Sequence, residues 1–228
     1  MIKLSPFTIS VLKNFKTINA NLVVAPGNVL STIDEANTIQ ATAEVPEQFD
    51  TEFGIYDLNE FYSVYDDLFD DPELEISSDS ATITDNNLGL KATYRFADKS
   101  ILTYPKKDIK MPTADVTVDI SENDLSRIRS AANVLGHKTV SIVGKDGVIS
   151  AKVVDPKNPT ANTFTLVLDE NNDCKDEFEM QILIANLKVL PGPYQVEICY
   201  NRLSKWTHAT ECISYFIALE KTSPGKIN

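Results

Sequence analysis

The sequence predicts an α+β protein built from two similar halves, each with sheet and two helices. A helical period of apolar residues at Leu4 to Ile18 recurs at Ile120 to Leu135. The tetrapeptide Ile55–Leu58 has a counterpart at Ile184–Leu187, and each begins a short predicted helix. Runs of alternating or β-branched residues around these helices predict strands. The shared order of helix, strands, helix and strands favours a duplication over two halves that resemble one another by chance.

The first predicted helix has a start signal as well as an apolar period. Ser5 is a suitable N-cap, and Pro6 fits the first helical position. One side of the helix carries the stripe Leu4, Thr8, Val11, Leu12, Phe15 and Ile18. Lys13 lies opposite this stripe, and Lys16 lies on its flank.

The corresponding helix of the second half begins at Ser121, with Asp124 placed as in a weak capping box. Its apolar side consists of Leu125, Ile128, Ala131, Ala132 and Leu135. Arg127 and Arg129 flank this side. The repeat aligns Arg129 with Lys13 of the first helix, so both halves carry a base at the same position.

The remaining elements follow from local patterns. We expect the second helix of each half at Asp57–Phe69 and Ala185–Leu190, the latter ended by prolines and a glycine. Strands are expected at Leu22–Val24, Thr38–Ala43, Glu75–Thr84, Thr139–Val143, Val148–Val154, Thr163–Leu168, Tyr194–Tyr200 and Cys212–Leu219. Trp206 is expected in a polar loop. The predicted domains are residues 1–104 and 116–228, joined by an extended connector at residues 105–115.

Acidic residues are concentrated in one part of the chain. Thr17 to Leu90 contains sixteen Asp and Glu and no Lys or Arg, whereas the whole chain has 33 acids and 21 bases. The rest therefore holds 33 − 16 = 17 acids against 21 bases. This asymmetry implies two surfaces that face different surroundings, and the basic surface suits a polyanion.

Composition limits the possible functions. No apolar run approaches the ~18 residues of a membrane span, and the N-terminus lacks the core of a signal peptide, so we expect a soluble intracellular protein. Three unevenly spaced cysteines predict buried reduced thiols instead of a disulfide or zinc site. With two histidines and no Gly-rich phosphate loop, the sequence predicts no catalytic residue, metal or cofactor.

Several segments resemble one known family, the DNA polymerase sliding clamps of T-even-like bacteriophages. In order along the chain they are Leu12-Lys13-Asn14-Phe15, Ile55-Tyr56-Asp57-Leu58-Asn59, Ala185-Asn186-Leu187-Lys188, Pro191-Gly192 with Tyr194, and Tyr215 with Ala218-Leu219-Glu220. The resemblance extends from residue 4 to residue 220, although residues 66–119 match poorly.

The resemblance implies a DNA clamp fold in which three subunits close head to tail around duplex DNA, with helices lining the inside of the ring. It implies a processivity factor for the replicative DNA polymerase, without catalysis of its own, placed on DNA by an ATP-dependent clamp loader. It also implies a role in late viral transcription and a location in the cytoplasm of an infected bacterial host.

Five bases on the predicted inner helices are the expected DNA contacts: Lys13, Lys16, Arg127, Arg129 and Lys188. A few non-specific phosphate contacts suit a ring that must slide without reading sequence. The helix from Asp57 departs from this expectation because it carries Glu60, Asp66 and Asp67 and no base. Either these carboxylates turn towards the edge of the core, or the inner surface is less positive than the resemblance implies.

Closing such a ring requires two different edges on each subunit. We expect Lys91–Phe96 of one subunit to pair with Asn162–Leu168 of its neighbour. The interface residues are then Lys91, Tyr94, Phe96, Asn162, Phe164 and Leu166. Tyr94 and Phe96 are expected to supply apolar contact area.

Partner proteins are expected to insert apolar peptides into a groove between connector and sheet. The predicted groove residues are Leu102, Tyr104, Ile109, Met111, Tyr215 and Phe216. Core packing is an equally simple explanation for each of them.

Three other functions remain open from the residues alone. A virion structural or assembly protein fits the acidity but does not need bases on two equivalent helices. An inhibitor that mimics DNA fits the acidic segment but not the bases of the other half. An enzyme lacks a convincing set of catalytic residues.

Overall fold

The computed structural model describes residues 1–221 and 223–227, and the chain divides into two compact units, Met1–Asp108 and Ile109–Asn228. The elements of the first unit are α1 (Pro6–Ile18), β1 (Leu22–Val24), β2 (Gly27–Ile33), β3 (Ile39–Phe49), β4 (Phe53–Ile55), α2 (Leu58–Asp66), β5 (Glu73–Ile76), β6 (Ser80–Asp85), β7 (Leu90–Arg95) and a 3₁₀ turn (Lys99–Ile101). Within this unit the antiparallel strands follow the orders β4-β1-β2-β3 and β5-β6-β7.

The second unit has more strands and one α-helix. Its elements are β8 (Val116–Ile120), α3 (Glu122–Leu135), β9 (Thr139–Lys145), β10 (Val148–Val154), β11 (Phe164–Asp169), β12 (Glu177–Leu183), a 3₁₀ turn (Ile184–Asn186), β13 (Tyr194–Cys199), β14 (Leu203–His208), β15 (Ile213–Ala218) and β16 (Gly225–Ile227). Its antiparallel strands follow the orders β15-β14-β13-β8 and β11-β10-β9-β12-β16. The prediction of an α+β fold is confirmed.

Both long helices begin where the sequence predicts. Ser5 caps α1 by accepting a hydrogen bond from the backbone N–H of Thr8 at 3.2 Å. Ser121 and Asp124 form a complete capping box at α3, and each satisfies a backbone N–H of the other. Gly136 ends α3 in the left-handed conformation at φ 70°, which a residue with a Cβ rarely adopts.

A buried carboxylate also holds the start of α1. Glu47 of β3 lies on the same face as Val45 and Phe49, and it accepts hydrogen bonds from the Ser5 backbone N–H and the Thr8 hydroxyl. Negative charge at a helix N-terminus complements the helix dipole. The sequence contained a signal for this contact, an acid on the apolar side of an alternating strand.

The segment after Ile184 is not the predicted helix. Only a single 3₁₀ turn forms at Ile184–Asn186, and no side chain caps it. Leu187 and Val189 are buried on either side of the half-buried Lys188. Leu187 has φ −79° and ψ 49°, outside the helical region, and the nearby Pro191 cannot donate to a helical hydrogen bond. The apolar residues are therefore buried in an irregular segment that follows the single turn.

Other local predictions need smaller corrections. The predicted strand Glu75–Thr84 is a hairpin of β5 and β6, because Ser77 and Ser80 close a turn with an N–H to carbonyl bond of 2.9 Å. Helix α2 ends at Asp66, not at Phe69. All three cysteines are free, but only Cys199 is buried; Cys212 is exposed.

Trp206 does not lie in a polar loop. It is in β14 and is 1% exposed, with Ser204 and His208 buried on the same face. Its indole N–H donates to the Ser204 hydroxyl at 2.9 Å. The polar residues around Trp206 led to the prediction of a loop. Ser204 and His208 can be buried in a strand because their side chains are hydrogen-bonded inside the unit.

Within the described residues, no helix is both long and apolar enough to cross a membrane.

Candidate nucleic-acid interface

Helix α1 presents its two lysines to different surroundings. Lys13 is exposed, on the side away from the buried Val11 and Phe15. The ammonium of Lys16 lies 3.9 Å from the ring centre of Tyr62 on α2, which is a cation–π contact. Lys13 is therefore freer to meet an external anion than Lys16.

Tyr62 links Lys16 to an acid on the same side of the unit. Its hydroxyl donates to Asp66 Oδ2 at 2.6 Å. Burial of the phenol raises the pKa of Tyr62 to about 12, and the hydrogen bond to Asp66 acts in the same direction. The result is a chain of base, aromatic ring and carboxylate that joins α1 to α2.

The carboxylates of α2 face solvent. Glu60, Asp66 and Asp67 are exposed, while Asp57 caps the helix by accepting from the backbone N–H groups of Asn59 and Glu60 at 2.9 and 3.3 Å. The acids are therefore not turned into the core. The exposed surface of α2 is therefore negative, and it lies beside the lysines of α1.

Arg127 and Arg129 lie on different sides of α3, as expected for residues two positions apart on a helix. Arg127 is exposed and lines an open cleft of about 560 Å³ beside β11. This cleft is mostly apolar, with Ala131, Val134 and Phe164 in its wall. Val134 is 81% exposed, and no signal in the sequence predicts a role for it.

Arg129 faces the segment that follows the 3₁₀ turn. Its guanidinium is half-buried and donates to the carbonyl of Leu187 at 2.6 Å and, more weakly, to that of Val189 at 3.4 Å. Burial lowers the pKa of Arg129 from its ordinary high value, because a low-dielectric environment disfavours the charged form. Arg129 and Lys13 occupy matching positions in the two repeats, but Arg129 is half-buried and Lys13 is exposed.

The two predicted subunit edges are edge strands in the described part of the chain. β7 pairs with β6 alone, and β11 pairs with β10 alone. Lys91 and Asn162 are exposed, whereas Phe164 and Leu166 are half-buried. The Asn162 carbonyl is hydrogen-bonded to His137 Nε2 at 2.7 Å.

The two aromatic residues at the first edge contact their own unit. Tyr94 is 8% exposed, its hydroxyl bonds to the backbone of Asp57, and its ring meets Phe61 edge-on. Phe96 is half-buried and stacks on Phe53 with ring centres 4.6 Å apart. The side chain of Tyr94 therefore belongs to the core and does not supply the expected contact area.

The predicted groove residues divide into buried and accessible ones. Leu102 is 6% exposed and Tyr215 is fully buried, so each packs inside its own unit. Tyr104 is half-buried, with the Lys99 ammonium 5.0 Å from its ring centre. Ile109 is exposed, and Met111 and Phe216 are half-buried.

Comparison with known proteins identifies the family. The family described as DNA polymerase processivity factor matches residues 3–102. The sliding clamp of Escherichia phage RB69 is 30% identical over 231 residues, covering 97% of this chain and 98% of that protein. The sliding clamp of Enterobacteria phage T4 is 29% identical over 226 residues, with 97% and 98% coverage.

Solved structures agree on the fold. A proliferating cell nuclear antigen (PCNA) from A. fulgidus, solved with the C-terminal region of FEN-1, has a TM-score of 0.72 at 10% identity, and 96% of each chain is covered. The beta clamp of Helicobacter pylori has a TM-score of 0.72 at 8% identity, with 96% of this chain and 65% of that chain covered. These structural matches show the DNA clamp fold, and the sequence relatives show the family. The chain belongs to the family of bacteriophage sliding clamps, which are DNA polymerase processivity factors and not enzymes.

Proposed function

We propose that three copies of this chain close head to tail into a ring that encircles duplex DNA and tethers the replicative polymerase. The single observation that carries the proposal is the match to the RB69 sliding clamp over nearly the full length of both proteins. We further propose that an ATP-dependent clamp loader places the ring, that it aids late viral transcription, and that it acts in the cytoplasm of an infected bacterium.

The two edge strands support a head-to-tail contact. β7 and β11 are each six residues long and each has one side without a partner strand among the residues described. Leu90 at the start of β7 and Val167 in β11 are exposed apolar residues at these edges. Pairing β7 of one copy with β11 of the next would cover both, and would use different surfaces on each subunit.

The charges support loose contact with DNA. We assign the phosphate contacts to Lys13, Arg127 and Lys188. On α1, Lys16 is a weaker contributor than the exposed Lys13 because its ammonium interacts with Tyr62. The exposed acids of α2 reduce the positive potential beside α1. Since affinity for duplex DNA falls steeply with salt for each phosphate neutralised, few contacts leave a ring that slides instead of sticking.

Topological retention on DNA is the direct test of the proposed function. The protein is mixed with a clamp loader from a T4-like phage, ATP and closed circular duplex, and the circle is then cut once. We expect the protein to stay on the circle during gel filtration and to leave after cutting. Retention that does not depend on circularity would exclude encirclement, and loss from both forms would exclude loading.

The polymerase contact has its own prediction. Tyr104→Ala combined with Met111→Ala is expected to shorten the products of a T4-like polymerase several-fold, because truncating apolar contact residues weakens peptide docking. The ring mass and the retention on circular DNA should not change. Lys106→Ala with Lys107→Ala, exposed neighbours on the same stretch, serves as the matched control. Wild-type product lengths for the first pair would remove these residues from the polymerase contact.

A further inference from the structure

Four side chains hold the backbone of Leu187 to Pro191, the segment that replaces the predicted helix. Arg129 of α3 donates to the carbonyls of Leu187 and Val189 at 2.6 and 3.4 Å. The other three bonds come from Tyr194, which donates to the Leu190 carbonyl at 2.8 Å, Tyr215, which accepts from the Leu190 N–H at 3.1 Å, and His208, whose Nε2 lies 3.1 Å from the Pro191 carbonyl.

These bonds bracket Lys188. The two carbonyls bound by Arg129 belong to the residues immediately before and after it. Leu187 and Val189 are 4% and 5% exposed, so the residues on either side of the half-buried Lys188 are held in the core. The backbone position of Lys188 is therefore fixed by its neighbours' burial and by the guanidinium of Arg129.

Arg129 is poorly placed to meet phosphate itself. Its guanidinium is half-buried, and part of its donor fork is already used by the two carbonyls. Since the two carbonyls occupy Nη2, a direct phosphate contact would have to use the other donors of a guanidinium that is half-buried. Both bonds come from the same terminal nitrogen, Nη2, and a lysine side chain ends one atom earlier, so its ammonium does not reach the two carbonyls from the same backbone position.

We propose that Arg129 is a positioning residue, which acts on DNA binding by fixing the backbone that carries Lys188, and that Lys188 makes the phosphate contact. This inference rests on the proposed function, since it places Lys188 on the DNA-facing surface. It gives Arg129 a different role from that of its repeat partner Lys13, which is exposed and contacts DNA directly.

The slope of log affinity against log salt separates a phosphate contact from a positioning residue. Binding of the intact ring to a short fluorescent duplex is measured by anisotropy at a series of low salt concentrations. Lys188→Met is expected to reduce the magnitude of the slope by about 0.9 for each phosphate that the variant no longer neutralises. Lys188→Arg keeps the charge and is expected to retain the wild-type slope.

Arg129→Lys is the decisive variant because it preserves charge but its shorter side chain does not reach the two carbonyls. We expect it to show the reduced slope of Lys188→Met, and the double variant Arg129→Lys, Lys188→Met to show no further reduction. A wild-type slope for Arg129→Lys would mean that the Lys188 contact does not depend on the Arg129 hydrogen bonds, and would overturn the proposal. A wild-type slope for Lys188→Met would overturn it as well.

Hydrogen exchange tests the mechanism independently of DNA. The amides of residues 187–190 should exchange on the order of tenfold faster in Arg129→Lys, while those of α3 stay protected. Tyr194→Phe removes the hydroxyl that donates to the Leu190 carbonyl, and it keeps every charge. Faster exchange in Tyr194→Phe with an unchanged salt slope would overturn the positioning role. If wild-type rings show no salt-dependent binding while still being retained on circles, the inference fails and the proposed function stands.

Discussion

Val134→Arg is expected to convert the protein from a species of three-chain mass to one of single-chain mass. Val134 is 81% exposed on α3, so its own unit tolerates a larger side chain with little change in stability. It lies in the wall of the cleft beside β11, together with Ala131 and Phe164. In the proposed ring, the neighbouring subunit covers the end of this cleft at Val134 when its β7 pairs with β11, and Arg127, two helical turns away on α3, stays open to DNA.

The expected effect is large because the substitution adds both volume and charge to a covered surface. The cleft is mostly apolar, so covering an arginine there also removes water from its charge. We expect the substitution to weaken each subunit contact by about 3 kcal/mol, roughly a hundredfold in its dissociation constant. Retention on circular DNA should fail for the same reason.

Sedimentation equilibrium at micromolar protein measures the mass, and thermal unfolding measures the effect on the single chain. Val29→Arg is the matched control, because Val29 is an exposed valine on β2, a strand flanked on both sides by β1 and β3. We expect the control to keep the three-chain mass. A three-chain mass for Val134→Arg would show that the cleft is not covered by a second copy.

The sequence predicts the helices that start at local signals. The caps at Ser5 and Ser121 depend on residues within one turn, so they can be recognised without knowledge of the rest of the fold. Helix α2 begins within one residue of its predicted start, where Asp57 caps it, for the same reason. The apolar period then predicts which face is buried, as it does for Val11, Phe15 and their neighbours on α1.

Tertiary contacts decide the features that the sequence misses. The irregular backbone of Leu187 to Pro191 is held by Arg129, Tyr194 and Tyr215, which come from three other elements. The sequence identifies Arg129 as a base on a helix, but it cannot show that two carbonyls lie within reach of the guanidinium. It likewise identifies Tyr94 as an aromatic edge residue, while the hydroxyl's bonds to Asp57 are formed only in the fold.

Trp206→Ala is expected to have the largest effect on the stability of the single chain. Trp206 is 1% exposed and is among the largest fully buried side chains of the protein. Removing a buried tryptophan leaves a cavity that the surrounding strands fill only in part, and such changes cost about 3–5 kcal/mol. This is a large share of the roughly 5–15 kcal/mol that stabilises a typical domain.

The substitution also reaches the segment that carries Lys188. The ring of Trp206 packs edge-on against Tyr194, with ring centres 6.1 Å apart, and Tyr194 holds the Leu190 carbonyl. Without the indole, the ring of Tyr194 loses its packing contact with Trp206. We therefore expect faster amide exchange at residues 187–190 in Trp206→Ala, in addition to the loss of global stability.

Urea unfolding followed by circular dichroism measures the change, since Trp206 is the only tryptophan and its fluorescence is lost in the variant. Trp206→Phe is the control: it keeps an aromatic ring against Tyr194 but removes the N–H bond to Ser204, and we expect it to lose about 1–2 kcal/mol. Ser204 retains its own bond to the Ile217 carbonyl at 3.2 Å, so no buried hydroxyl hydrogen is left unpaired in the control. A loss below about 1 kcal/mol for Trp206→Ala would mean that the strands collapse around the missing ring, and that packing at β14 does not hold the Lys188 segment in place.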